Sequence, residues 1–364
     1  MTLARYIALR FLSMVAQVFL IFFGIMMLID MVDQLRRFGP EGLGLAAAAQ
    51  LAALNVPATL YRILPLLVIL AAVAMFIGLA RSSELVVVRA AGRSGLRFLM
   101  TPVLAALALG AVAVTVLNPI VAGMSREYEV VYARLSRGSE SVLSISASGL
   151  WLRQGGPDGQ TVIQAARSDS DGTRLSDVTF LTFAPDGTPQ TRIEAAEATL
   201  NPGAWALRDA KTWDLTAANP ERVAKSVPQL TLPSDLTRER IRDSFGDPSA
   251  IPFWDLPEYI DRIEAAGFSA RSHRVWMQME LALPLLLASM VLVAAGFTMR
   301  HARMGRTGQM VLAAVLMGFA IFFLRNFAQV LGESGQIPVV LAAWSPPVAA
   351  ALLSLGLLLH LEDG

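Results

Sequence analysis

The chain has 364 residues, 54% of them apolar and 16% charged, a balance found in membrane proteins rather than soluble globular ones. Lys and Arg total 30 against 29 Asp and Glu, so no net field argues for nucleic acid. The absence of Cys excludes a disulfide framework, thiolate metal sites and a cysteine nucleophile. His273, His301 and His360 are too scattered for an imidazole-rich site, so no catalytic or metal-binding residue is assigned.

Uncharged runs long enough to cross a bilayer begin with residues 11–29. Arg5 and Arg10 precede this run as basic residues precede a signal peptide, but nineteen apolar residues without an A-x-A site predict a retained anchor. The run ends in Asp30-Met-Val-Asp33-Gln-Leu-Arg36-Arg37. Two readings fit this end. One is a solvated terminus in which Asp33 pairs with Arg36 and Arg37 at i+3 and i+4; the other is a guanidinium pair at headgroup height, suited to bidentate grip on phosphate. Residues 43–53 form an Ala/Leu-rich stretch that reads as an interfacial helix or as the outer start of span two, residues 63–80, with Arg62 and Pro65 at its outer end.

A charged island, RSSELVVVRAAGRSGLR at residues 81–97, separates span two from span three, which runs from 98 to about 121. Ser82 and Ser83 are N-cap candidates, Glu84 falls in the first turn where the dipole favours an anion, and Gly92 ends the helix. A helix over 82–92 is too short to stand alone in water, so a partner is expected to hold it.

From residue 126 to 274 the apolar runs become short and alternating, at 141–152, 161–165, 178–183, 192–200, 205–215 and 229–232. Turn signals such as Asp169-Ser-Asp171-Gly172, Pro185-Asp186-Gly187 and Asn201-Pro202-Gly203 stand between them. Six short strands punctuated in this way predict an antiparallel sandwich or open jelly roll. Residues 255–266 follow as an amphipathic helix capped by Asp255, with Leu256, Ile260 and Ile263 as its apolar stripe and Gly267 as its stop.

Spans four to six are residues 281–299, 307–324 and about 338–359. Anionic-lipid anchoring suffices to explain Arg300, Arg303 and Arg306 in the loop after span four. Arg325 falls near the outer face, either as a satisfied interfacial arginine or as a lipid-phosphate contact. Glu280 and Arg325 bracket spans four and five, and the span interiors read as free of ionisable groups, which disfavours an ion-coupled carrier.

Basic residues near the span ends set the orientation. With the N-terminus inside, nine arginines (5, 10, 81, 89, 93, 97, 300, 303, 306) face the cytoplasm and four (36, 37, 62, 325) lie outside. The expected fold is therefore a membrane α-helical one with six transmembrane helices and an inserted periplasmic all-β jelly-roll-like domain: spans one to three with the inner helix in 1–125, the β domain with its flanking helix in 126–274, and spans four to six in 275–364. There is no G-x-x-x-x-G-K-[ST], H-E-x-x-H or G-x-S-x-G, so any ATP-driven work needs an external motor.

Four stretches carry a family likeness: Met31-Val-Asp-Gln-Leu-Arg-Arg37, Arg81-Ser-Ser-Glu-Leu-Val-Val-Val-Arg-Ala-Ala-Gly92, Gly149-Leu-Trp151 and Gly335-Gln-Ile-Pro338. In order and spacing the chain resembles the LptF/LptG permeases of lipopolysaccharide export, most closely the LptG branch. The resemblance implies a non-catalytic subunit without a cofactor of its own, paired with an LptF-like sister permease on two copies of a cytoplasmic ATPase that binds ATP and Mg. It also implies lateral entry of lipopolysaccharide between span one and the partner's fifth span, and delivery to LptC/LptA-like periplasmic bridge proteins. By residue, it makes Glu84, with Arg89 beside it, the contact to the ATPase. It makes Arg36 and Arg37 the grip on lipid phosphates. Arg62 and Arg325, from their place near the outer face, are further lipopolysaccharide-binding candidates. Relatives often carry Lys at the pair, which keeps the charge but changes the hydrogen-bond geometry. The reading from another class is a structural membrane scaffold whose outer β domain recruits periplasmic partners.

Overall fold

A computed structural model describes residues 2–39, 43–82, 84, 95–135, 143–146, 149–156, 159–169, 172–234, 236–237, 241, 247–265, 268–299 and 307–362. The chain divides into two compact units: residues 1–136, 249–254 and 271–364 form one, and residues 137–248 and 255–270 the other.

The first unit is helical, as long apolar segments must be when no water is present to satisfy their backbone. In chain order it holds α1 (Thr2–Phe38), α2 (Leu45–Arg62), α3 (Leu64–Arg81), α4 (Gly95–Val112), a π turn (Ala113–Leu117) and α5 (Asn118–Leu135). After the β unit, which contains α6 (Leu256–Ala265), come α7 (Arg271–Thr298), α8 (Thr307–Glu333) and α9 (Val339–Glu362). Six helical segments of the described residues are long and apolar enough to cross a membrane: α1, α3, the α4–α5 run, α7, α8 and α9.

Helix α7 is the buried axis. Leu283, Leu286, Leu287, Met290, Val291 and Val293 are all buried, and Ala288, Ser289, Ala294, Ala295 and Gly296 let neighbouring backbones approach closely. The tightest approach is at Gly110 of α4, where an added Cβ would stand 2.4 Å from Pro284 Cα. No side chain fits against that backbone atom. The π turn three residues later frees a carbonyl, and the protein uses it: the Trp254 indole donates to Thr115 O at 3.1 Å, while the Phe253 N–H donates to Asn118 Oδ1 at 2.8 Å.

Helix α1 is packed first by α3 and then by α2, which descend beside it in the opposite direction. Ile7, Phe11 and Val15 belong to the same buried cluster as Val68, Ala72 and Met75 of α3. Val56 and Leu60 of α2 pack with Phe19, Phe22, Phe23 and Met26. The stretch at 43–53 therefore belongs to a separate eighteen-residue helix. A break at Ile63 divides it from α3, and Pro65 occupies the first turn of α3, where its missing N–H costs nothing.

The second unit is a seven-stranded antiparallel sheet in sequence order: β1 (Leu143–Ser146), β2 (Gly149–Gly156), β3 (Gly159–Ser168), β4 (Arg174–Phe183), β5 (Pro189–Asn201), β6 (Ala204–Asp214) and β7 (Lys225–Pro233). Six runs give seven strands because the run at 141–152 holds two, which pair from Leu143↔Leu152 to Ser146↔Gly149. The turn signals act as their chemistry requires. Asp169 Oδ1 accepts the N–H groups of Thr173 (2.8 Å) and Arg174 (3.0 Å), and Gly172, Gly187 and Gly203 all take positive φ. Gly172 has no room for a side chain, since a Cβ would lie 2.6 Å from Ile241 Cγ2.

Inward alternation along the strands slips by one residue on a shared line. Buried Leu175 is followed by Val178, Ala195 by Ala198, and Leu207 by Ala210. The ladders skip Asp177 and Asp209 there, both with φ of 52°. One residue inserted in each neighbouring strand preserves the register while turning the sheet, so that one apolar core from Leu150 to Ala210 stays covered. Helix α6 lies beside β1 and buries Leu256, Ile260 and Ile263, the stripe predicted for it.

Candidate functional site

The residues of interest gather at the two ends of α1 and at one buried cluster between them. At the N-terminal end, Glu84 meets α1 directly. Arg10 Nη1 donates to Glu84 Oε1 at 2.7 Å, Ser82 Oγ donates to the same oxygen at 2.8 Å, and the Tyr6 hydroxyl donates to Oε2 at 3.1 Å. Arg10 also donates to the Tyr6 hydroxyl and stacks over its ring at 5.6 Å. Tyr6 and Arg10 are one helical turn apart, so a single face of α1 presents both. The hydrogen bond from Arg10, with those from Ser82 and Tyr6, holds the Glu84 carboxyl below the usual carboxylate range. A depressed carboxyl pKa means that the contact is complete at neutral pH and is lost as pH falls through the lowered value. Of the helix predicted over 82–92, only Ser82 and Glu84 lie among the described residues; Arg89 lies outside them, as do Arg300, Arg303 and Arg306.

At the C-terminal end of α1 the two arginines separate in role. Arg37 Nε pairs with Asp33 Oδ2 at 2.8 Å, while Arg36 is exposed and makes no ion pair among the described residues. Below Arg36 runs a stripe of exposed apolar side chains, Ile21, Ile25, Leu28 and Val32, at spacings of three and four. The opposite face is fixed. Gln34 donates to the Tyr128 hydroxyl of α5 at 3.0 Å, Asn55 of α2 donates to Asp30 at 2.8 Å, and the Phe38 and Tyr132 rings meet edge-on at 5.3 Å. A second exposed apolar stripe lies on α8: Leu312, Leu316, Phe319, Phe323, Phe327 and Val330.

The third group corrects the expectation that the span interiors lack ionisable residues. Glu280 is 1% exposed and Arg325 7% exposed. Tyr61 donates to Glu280, Asn118 reaches both groups, and the charges of Arg62 and Arg325 act on the same cluster. Arg62 and Arg325 thus do not join Arg36 and Arg37. The Asn55–Asp30 hydrogen bond fixes the antiparallel register of α2 along α1, which leaves Arg62 about 20 Å along α1 from Arg36. Arg325 is buried in the same cluster as Glu280.

The sequence held a signal for this cluster. Val275, Trp276, Met277 and Met279 continue the apolar pattern before Glu280, as Phe327, Ala328, Val330 and Leu331 continue it after Arg325, so both helices run on through the charge. Glu280 and Arg325 act on each other by charge without a direct ion pair, and the direct partner of Glu280 is the Tyr61 hydroxyl. Glu280→Ala leaves that buried hydroxyl without its acceptor and is expected to destabilise the bundle by about 1–3 kcal/mol. Thermal unfolding in detergent reads this as a lower Tm. The double variant Glu280→Leu with Arg325→Met should recover most of the loss, and an unaltered Tm in Glu280→Ala would contradict a structural role for the buried cluster.

The profile described as "Lipopolysaccharide export system permease LptF/LptG" matches residues 5–360. The chain is 25% identical over 361 residues to the lipopolysaccharide export system permease protein LptG of Escherichia coli strain K12, with 98% of each chain covered. It is 23% identical over 371 residues to LptG of Haemophilus influenzae, with 100% of this chain and 99% of the relative covered.

Proposed function

Because the chain belongs to the lipopolysaccharide export permease family LptF/LptG, as a permease subunit of that export system in the inner membrane, we propose a division of labour along α1. Arg36 and Arg37 grip the phosphates of the lipid at the outer headgroup level, and Glu84 receives the drive from a cytoplasmic ATPase. The observation that carries this reading is the continuous face of α1 on which exposed Ile21, Ile25, Leu28 and Val32 lead up to exposed Arg36. An amphiphile with acyl chains below and phosphates above needs apolar surface capped by cations, in that order.

On this reading both termini are cytoplasmic and the β domain is periplasmic, as the count of basic residues favours. An LptF-like sister permease stands across from α1 and α8, whose apolar faces have no neighbour within the described chain. Two copies of a P-loop ATPase bind ATP and Mg beneath the 82–92 segment, with Arg89 beside Glu84 at that contact. Lipid enters between α1 and the fifth span of the partner, and the β domain passes it to LptC/LptA-like bridge proteins. A pull-down of the intact chain in mild detergent, read by mass spectrometry, is expected to recover the sister permease and the ATPase at stoichiometric levels. Export-competent membranes in which this chain associates with neither would overturn the reading.

A further inference from the structure

The contact between the first turns of α1 and Glu84 is not required for a carboxylate whose task is to meet a separate subunit. We propose that Arg10 and Tyr6 form a latch: they hold Glu84 against α1 until a basic residue of the ATPase takes the carboxylate over, and that exchange frees the cytoplasmic end of α1. The proposal rests on the reading of Glu84 as the coupling residue.

Occupancy of the carboxylate is the first argument. It offers about four acceptor positions, and Arg10, Ser82 and Tyr6 already use both of its oxygens. An incoming guanidinium that binds side-on needs one position on each oxygen, and both positions on Oε1 are taken by Arg10 and Ser82, so Arg10 must leave for one charged donor to replace another. Accessibility is the second. The Arg10 and Glu84 side chains are 23% and 35% exposed, ordered by each other yet open to water, and partly exposed pairs of this kind exchange partners readily.

Mechanical reach is the third. The Arg10 guanidinium lies across the last turn of α3, 3.5 Å from where a Cβ on Gly78 would stand, so the pair ties α1 to the end of α3. Helix α1 is unbroken over 37 residues, about 55 Å, and carries Arg36 and Arg37 at its far end. Along its exposed stripe no described residue packs against it. Once Glu84 lets go, the inner half of α1 is seated on α3 only through the apolar contacts of Ile7, Phe11 and Val15, which permit sliding, while Gln34–Tyr128 and Asn55–Asp30 hold its outer end. An unbroken helix shifts over that contact as one body, so loss of the Glu84 contact is transmitted to the lipid-facing stripe.

The chain contains no Cys, so spin labels in it sit only where a Cys is introduced, and any Cys of the other subunits is replaced before labelling. Labels at Leu9→Cys and Arg81→Cys, both exposed positions, report the separation of α1 from the end of α3 in the complete transporter in nanodiscs. The separation should be short and narrowly distributed without nucleotide and longer after vanadate trapping. Arg10→Gln should show the longer separation already without nucleotide, and should raise the ATP hydrolysed per lipid exported by about fivefold or more. Arg10→Lys, which keeps the charge, should stay near wild type on both readouts. A separation that does not change between nucleotide states, or a wild-type coupling ratio in Arg10→Gln, overturns the latch. Glu84→Ala distinguishes the two levels. If it uncouples while Arg10→Gln does not, the latch alone fails; if it too is normally coupled, the coupling role of Glu84 fails with it.

Discussion

Glu84→Ala is expected to leave the transporter assembled and hydrolysing ATP while export falls by about fivefold or more, the largest functional loss from any single change in the chain. The reason is geometric. Glu84 follows α3 and is bound to α1, so one carboxylate joins the end of α3, proposed to lie at the cytoplasmic face, to the helix proposed to bear the lipid grip. Removing it abolishes the Arg10, Tyr6 and Ser82 hydrogen bonds together. Charge reversal, Glu84→Arg, should be worse, because it sets like charges against Arg10 and against the basic residue proposed on the ATPase. The depressed pKa adds a pH criterion. The carboxylate is fully ionised at neutral pH, so coupling in the wild type should be flat from about pH 6 to 8. Normal export by a correctly assembled Glu84→Ala transporter would contradict the assignment.

Arg36→Glu with Arg37→Glu is expected to reduce crosslinking of lipopolysaccharide to α1 by about tenfold or more, since each charge-assisted hydrogen bond to phosphate contributes about 1.5–3 kcal/mol. The two single variants should differ. Arg36 has no ion-pair partner among the described residues and is free to bind, whereas Arg37 is engaged with Asp33 and must share its guanidinium. Arg36→Glu should therefore carry most of the loss, and raising the ionic strength should weaken the wild-type crosslink in the same direction. Photo-crosslinking from a position on the exposed stripe, such as Val32, checks this directly. Equal crosslinking in the double variant and the wild type would reject the phosphate grip.

Much of the fold was legible because hydrocarbon imposes length. Six apolar runs became six candidate membrane spans, and the alternating stretches with Asp-Gly and Pro-Gly punctuation became hairpins. What was not legible depended on packing between distant segments. Arg10 and Glu84 are 74 residues apart, and only the antiparallel course of α1 and α3 brings them together. Glu280 and Arg325 looked like span boundaries because a scan for uncharged runs stops at the first charge. A helix does not, provided that the charge finds a partner inside. Arg62 looked like a loop residue beside span two, and it proved to close a separate helix set well along α1 from the arginine pair. The division between Arg36 and Arg37 was equally hidden, since both are within i+4 of Asp33 and only the structure selects Arg37.

The most direct test of the account is reconstitution. Proteoliposomes containing this chain, its sister permease and the ATPase, loaded with lipopolysaccharide, are given ATP and a soluble bridge protein, and lipid transferred to the bridge is measured against phosphate released. The account predicts transfer that requires ATP and this chain, and that is lost with Glu84→Ala while hydrolysis continues. Transfer that proceeds without ATP, or at the wild-type ratio of lipid to phosphate in the Glu84→Ala transporter, would contradict it.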